Sequence, residues 1–172
     1  MRFEVENGKG TLIDRSGNSV SWIVYEILEN QIHLIETHTA TDFQGKGFAG
    51  KAVEEMIKHS EDRFEKIMVS CPYIKHWISK NRYESKKVEF TELLKLKESI
   101  DFFNRYHEPE AKAEYLDYAS NSVRVRFSGY MCRTCGVYDY FEDIIQDVDA
   151  EVVDYQEADD ESFIVTYRLK KL

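Results

Sequence analysis

Gln44-Gly45-Lys46-Gly47-Phe48-Ala49 stands where the chain changes its period. Residues 32–39 before it read as a strand. After it, Ala49, Ala52, Val53, Met56 and Ile57 recur at helical spacing, with Lys51, Glu54, Glu55 and Lys58 on the other face. Strand, glycine loop and helix in this order make an anion cradle. The N–H groups of a helix start and the positive end of its dipole favour negative charge. Glycine lets the backbone approach a phosphate closely and adopt turns that a Cβ would block. Lys46 is either a further charge at a diphosphate or a solvated surface lysine. A G-x-G alone occurs in many loops, so the neighbouring sequence has to say more.

Working outward, Phe3 and Val5 alternate with charges, and Thr11-Leu12-Ile13 precedes a turn at Arg15-Ser16-Gly17-Asn18. Residues 19–28 are rich in β-formers (Val20, Trp22, Ile23, Val24, Tyr25), and Glu29-Asn30 turns the chain into 32–39. An antiparallel meander is expected. Beyond the helix, Ile67-Met68-Val69-Ser70-Cys71 reads as a buried strand. Pro72 follows, and Ile74, Trp77 and Ile78 suit a short helix. Residues 1–83 therefore run β-β-β-β-α-β-α. Residues 84–91 read as a polar connection.

These residues carry a family resemblance. Gln44-x-x-Gly47-x-Ala49 resembles the Gln/Arg-x-x-Gly-x-Gly/Ala signature of the GNAT superfamily of N-acetyltransferases. The longer run from His38-Thr39 to Ala49, followed by Cys71-Pro72-Tyr73, resembles the minimal GNAT-like proteins. The likeness covers residues 1 to about 85. It implies acetyl-CoA lying in a splayed gap between two strands, its diphosphate on the backbone of Gln44, Gly45, Lys46, Gly47, Phe48 and Ala49. The pantetheine arm would run along the strand that ends near Thr39, and Asn81 completes the cofactor-binding set. The implied reaction transfers acetyl to an amine, which must first lose a proton. Glu36 and His38, at i and i+2, share one strand face and are the candidate bases. Each also has a plain account, as a solvent-facing carboxylate and a satisfied structural histidine. Relatives often carry Glu after the His-Thr pair, where Ala40 stands here. Cys71 is expected beside the thioester, as an acyl-cysteine nucleophile, a contact for the CoA sulfur, or simply a small buried hydrophobe. Tyr73 and Asn81 follow the family's pattern near the leaving thiolate, and Tyr83 is a further candidate donor. The catalytic expectation is thus Glu36, His38, Cys71 and Tyr73.

The second half reads α-β-β-α-β-β. Leu93, Leu96, Ile100 and Phe103 mark a helix ending near Tyr106, with strands expected over 112–118, 122–127, 150–156 and 163–169. A second helix is expected from Val137 through Phe141, Ile144 and Ile145 to Val148. Between strand and helix lies Gly129-Tyr130-Met131-Cys132-Arg133-Thr134-Cys135-Gly136. Two thiolates three residues apart can chelate one metal, but zinc or a four-iron cluster normally takes four ligands. A homodimer pairing two such loops would supply the others; His107 or Cys71 could otherwise complete a site, but nothing in the spacing selects them. The order of elements over residues 93–155 resembles the C-terminal iron–sulfur scaffold domain of the NifU type, with an extra residue before Cys132 and an extra final strand. An iron–sulfur cluster or zinc, a redox dithiol with Arg126 and Arg133 lowering the thiol pKa, and an inert reduced pair all remain open.

Charge separates the halves. Residues 1–90 carry 13 Lys+Arg against 14 Asp+Glu, and residues 91–172 carry 10 against 18. The acidic half disfavours nucleic acid, or simply keeps the protein in solution. No apolar run is long enough to span a membrane, and the first residues lack a signal-peptide pattern, so a cytoplasmic location is expected. The sequence thus predicts an α+β protein in two parts. A GNAT-like mixed sheet with flanking helices spans 1–88, and a smaller acidic α-β-β-α-β-β domain spans 89–172. The leading expectation is an N-acetyltransferase using acetyl-CoA on a small-molecule or protein amine. The alternative is a non-catalytic acetyl-CoA-binding module coupled to a metal or redox site, or an iron–sulfur carrier whose first half only binds CoA.

Overall fold

The computed structural model describes residues 1–133 and 135–170. The fold is α+β, in two compact units, Met1–Phe90 and Thr91–Leu172.

The first unit is a six-stranded sheet in sequential order. Strands β1 (Arg2–Glu6), β2 (Lys9–Ile13), β3 (Ser19–Leu28) and β4 (Gln31–Thr39) form the antiparallel meander. A short turn of 3₁₀ helix, Thr41–Phe43, then leads to α1 (Phe48–Glu61). Strand β5 (Lys66–Val69) returns parallel to β4 and passes into α2 (Pro72–Lys80), which has Pro72 in its first turn and Cys71 as its N-cap. The helical stripe read from the sequence faces the sheet. Ala52, Val53, Met56 and Ile57 bury against Ile23, Ile32, Leu34, Ile67 and Val69, with Ile74 and Ile78 of α2.

Two features differ from the sequence reading. The polar stretch 84–91 contains a sixth strand, β6 (Val88–Phe90), parallel to β5. It is an edge strand whose Glu89 and Phe90 are exposed, so it carries no apolar pattern. Lys87 just before it donates from Nζ to the carbonyls of Glu61 (2.5 Å) and Phe64 (2.9 Å), tying it to the end of α1. The second feature is a bulge. Val24 pairs with Glu36 and Tyr25 with Leu34, so Ile35 is an extra residue on β4. Below it Ile32 and Leu34 face the helices. Above it the phase inverts, and Thr37, opposite Ile23, takes the helix side while Glu36 and His38 lie on the other face with Val24 and Trp22.

The second unit begins with α3 (Glu92–His107). Thr91 is its N-cap, with Oγ1 accepting from the Leu94 N–H at 3.2 Å. Strands β7 (Ala111–Ala119), β8 (Ser122–Gly129), β9 (Ala150–Glu157) and β10 (Phe163–Leu169) form an antiparallel sheet in the order β7-β8-β10-β9. Asn104 on α3 fixes β7 by exchanging two hydrogen bonds with the Ala113 backbone, at 2.7 and 2.8 Å. Helix α4 spans only Val137–Asp143. The expected continuation to Val148 tightens into turns, with Ile145 N–H on Glu142 O and Val148 N–H on Ile145 O, yet Ile144 and Val148 are still buried. The core here is aromatic. Phe127, Phe141 and Tyr167 are fully buried, and the Tyr167 hydroxyl donates to the Phe141 carbonyl at 2.8 Å.

Candidate active site

The site begins where β4 and β5 part. Their ladder runs from Gln31↔Lys66 to Leu34↔Val69, and the Ser70 N–H donates to the Leu34 carbonyl at 2.9 Å. Beyond that point β5 has ended at Val69 while β4 continues to Thr39. The chain after β5 turns away into α2, leaving a fork. Cys71 lies at its closed end, buried, with its thiol 3.4 Å from Thr37 Oγ1. The bulge is what brings Thr37 to this side.

On the opposite face of β4, the Glu36 carboxylate and His38 Nε2 are 3.0 Å apart. The His38 ring stacks on Trp22, centroids 5.5 Å apart and planes at 18°. A carboxylate only accepts, so in the neutral imidazole the proton lies on Nε2 and leaves a lone pair on Nδ1.

At the far end of β4, Thr39 Oγ1 is 3.0 Å from the buried Ser21 hydroxyl, and its carbonyl accepts from Gln44 Nε2 at 3.4 Å. The loop then turns on Gly45 (φ 71°) and Gly47 (φ 81°), both left-handed. Gly47 is the N-cap of α1, with no side chain capping the helix and no acidic residue in its first turn. A Cβ built on Gly45 or Gly47 meets nothing within 4 Å, so this backbone faces open space. A helix N-terminus without a carboxylate of its own is disposed to take an anion, worth up to ~2 kcal/mol in partly buried geometry. Lys46 folds back on the loop, with Nζ 2.8 Å from the Asp42 carbonyl and 5.8 Å from the Phe43 ring. Phe48 packs edge-on to Phe43 and against the core, so its backbone rather than its ring faces the open side.

A cavity of about 630 Å³ adjoins this loop, lined by Gly47, Gly50, Lys51, Glu54, Ile57, Lys58, Trp77, Asn81 and Tyr83. Asn81 caps α2, its Nδ2 on the Trp77 carbonyl at 2.8 Å. The Tyr73 hydroxyl stands over the first turn of α1, 3.7 Å from where a Cβ on Gly50 would lie. Gly50 escaped the sequence reading. A side chain there would press on the Trp77 ring at 3.3 Å, so its glycine lets α2 approach α1; the one signal was a glycine inside a helical pattern. Tyr83 is committed elsewhere. Its hydroxyl donates to Glu61 at 2.5 Å, and burial with that carboxylate pushes its pKa up to about 12.

Residues 2–88 match the family model described as GCN5-related N-acetyl-transferase. The chain belongs to this family. It is an acyltransferase of the GNAT type, and GNAT enzymes use acetyl-CoA. The NMR solution structure of a GCN5-like candidate N-acetyltransferase from Staphylococcus aureus is similar, with 22% identity and a TM-score of 0.40. That likeness covers 52% of this chain and 88% of that one. No curated protein matches the chain.

The cysteine loop of the second unit carries different chemistry. Cys132 Sγ lies 3.6 Å from the Phe127 carbonyl and Cys135 is exposed; Thr134 between them falls outside the described residues. Among the described residues no three His, Cys, Asp or Glu side chains are grouped to hold a metal, and His107 instead packs tilted against Phe103 (4.4 Å) and edge-on to Tyr140 (5.6 Å). The expectation that Arg126 and Arg133 lower the thiol pKa is corrected for Cys132. Arg133 pairs with Glu161 at 2.5 Å and Arg126 lies 3.6 Å from Asp160. Burial pushes the Cys132 thiol up, and Asp160, Glu157 and Glu161 push it the same way. Among the described residues no helix is long and apolar enough to cross a membrane.

Proposed function

We propose that the first unit binds acetyl-CoA in the β4–β5 fork and transfers its acetyl group to an amine. The observation that carries this reading is the fork leading to an uncapped helix start. One strand outruns its parallel neighbour to Thr39, and the loop beyond it ends at a left-handed Gly47 facing open space. The diphosphate would lie on the backbone of Gln44 to Ala49, with the pantetheine along β4 toward Thr39. Tyr73 and Asn81 would flank the cofactor from α2. Tyr73 then serves the phosphate end of the cofactor, because its hydroxyl stands over α1. The Glu36–His38 pair is the base. Trp22 and Glu36 hold the ring, and His38 Nδ1 takes the proton as the amine nitrogen bonds to the thioester carbonyl carbon. The carbon–sulfur bond then breaks and CoA leaves as its thiolate. Cys71 lines the cleft as a buried thiol against Thr37 rather than as the nucleophile.

Calorimetry with acetyl-CoA and CoA release across a panel of primary amines test this together. Stoichiometric binding is expected, with turnover that His38→Ala lowers by about a hundredfold or more. Binding without turnover on any amine would leave a non-catalytic acetyl-CoA-binding module. No binding at all would refute the reading.

A further inference from the structure

His33 is fully buried on β4, and both its ring nitrogens are engaged. Nδ1 lies 2.8 Å from Glu26 Oε1 on β3, and Nε2 lies 2.5 Å from the Ser70 hydroxyl at the end of β5. Three adjacent strands are thus joined through side chains, in addition to their ladders. The row is not arbitrary. His33 pairs with Glu26, its neighbour Leu34 pairs with Val69 as the β4–β5 ladder closes, and Ser70 follows directly. Ser70 is also fully buried and precedes Cys71, the N-cap of α2, so it sits where the chain leaves the sheet and the fork opens. The line lies on the same face as Glu36 and His38, one row further along β3.

The bonds have a direction. Glu26 is partly exposed and, as a carboxylate, only accepts, so in the neutral ring the proton lies on Nδ1. Nε2 is then the acceptor, and the Ser70 hydroxyl donates to it. As a source of stability alone such a line is a poor choice, because well-packed apolar side chains of similar volume commonly do as well or better. What it adds is geometry, since each bond fixes both distance and orientation.

We propose that His33, oriented by Glu26, is a positioning residue that pins Ser70 and thereby sets the width of the fork and the place of Cys71. The functional part of this rests on the fork being the acetyl-CoA cleft. His33 does not touch the reacting atoms; it acts through the end of β5.

The test uses the full chain with Cys132→Ser and Cys135→Ser, so that Cys71 is the remaining thiol. Iodoacetamide alkylation of Cys71 and the acetyl-CoA dissociation constant are measured in Ser70→Ala and His33→Gln. Leu12→Ala, in the same core but on β2, serves as the control for general loosening. Ser70→Ala should raise the alkylation rate and weaken acetyl-CoA binding, each about tenfold. Leu12→Ala should do neither, at an equal or larger fall in melting temperature. His33→Gln, which offers an amide where the ring stood, should fall between. Nitrogen-15 NMR should find the His33 proton on Nδ1, with the Nε2 signal shifting in Ser70→Ala. Alkylation of Ser70→Ala and His33→Gln no faster than in the Leu12→Ala control, or a proton on Nε2, would overturn the proposal. Should the parent chain fail to bind acetyl-CoA, the functional reading falls, while alkylation and NMR still decide whether His33 pins the strand end.

Discussion

Two helices of this chain start in the same way and do different things. Helix α1 follows Gly47 (φ 81°, ψ 3°), and α4 follows Gly136 (φ 95°, ψ 20°); both glycines are left-handed N-caps with no side-chain cap. The first helix runs 14 residues and has no acid in its first turn. The second runs 7, carries Asp139 in its first turn, and follows a cysteine loop faced by Asp160 and Glu161. One start is open to an anion. The other already has anions around it, which also oppose a thiolate. Identical local backbone therefore says little about chemistry until the surrounding charge is counted.

The comparison can be broken at several points. The largest effect is expected at the Glu36–His38 pair, the proposed base. His38→Ala should lower the rate of CoA release by about 10²–10⁴-fold while acetyl-CoA affinity holds, as removal of a general base does. Glu36→Gln, which keeps a hydrogen-bond acceptor but removes charge, should lose less; single-turnover kinetics would rank the two. Next, Gly47→Val should weaken acetyl-CoA by roughly 100-fold, because a β-branched residue resists left-handed φ and crowds the anion. The matched Gly136→Val should leave calorimetric affinity unchanged, and equal losses would show the two starts to be equivalent.

The third effect concerns the thiol. Cys132 should alkylate with a midpoint above the ordinary cysteine range, and Glu161→Gln or Asp160→Asn should bring that midpoint down. The smallest effect is alkaline. Tyr83 rises in the folded state from 10.0 to about 12, so its neutral form is favoured by folding. Its contribution is fully present below pH 10 and is lost as pH rises toward 12. The melting temperature of the parent chain should therefore fall more steeply across that window than that of Tyr83→Phe.

Much of this was legible because it is written in short-range pattern. The strand–glycine–helix order around Gln44–Ala49, the stripe Ala52, Val53, Met56 and Ile57, and the helix–strand order of the second half all follow from periods of two and 3.6 residues. What escaped depends on register or on distant partners. The extra residue Ile35 lies among β-formers with no glycine or proline to mark it. Strand β6 has a single half-buried side chain, Val88, and no period to detect. The line Glu26–His33–Ser70 spans separations of 7 and 37 residues, and only the sheet assembles it. For Cys132, the nearby arginines were visible in sequence, whereas the carboxylates that pair with them come from 28 or more residues away.

The bulge on β4 also constrains how the strand can vary in length. Were the bulge drawn straight with Ile35 kept, one alternation would run the whole strand and exchange inside for outside at every position after Leu34. Glu36 and His38 would then turn toward the helices, and Thr37 would leave the thiol of Cys71. Deleting position 35 would instead close the ladder with both faces unchanged, so β4 can lose that one residue without turning its site over.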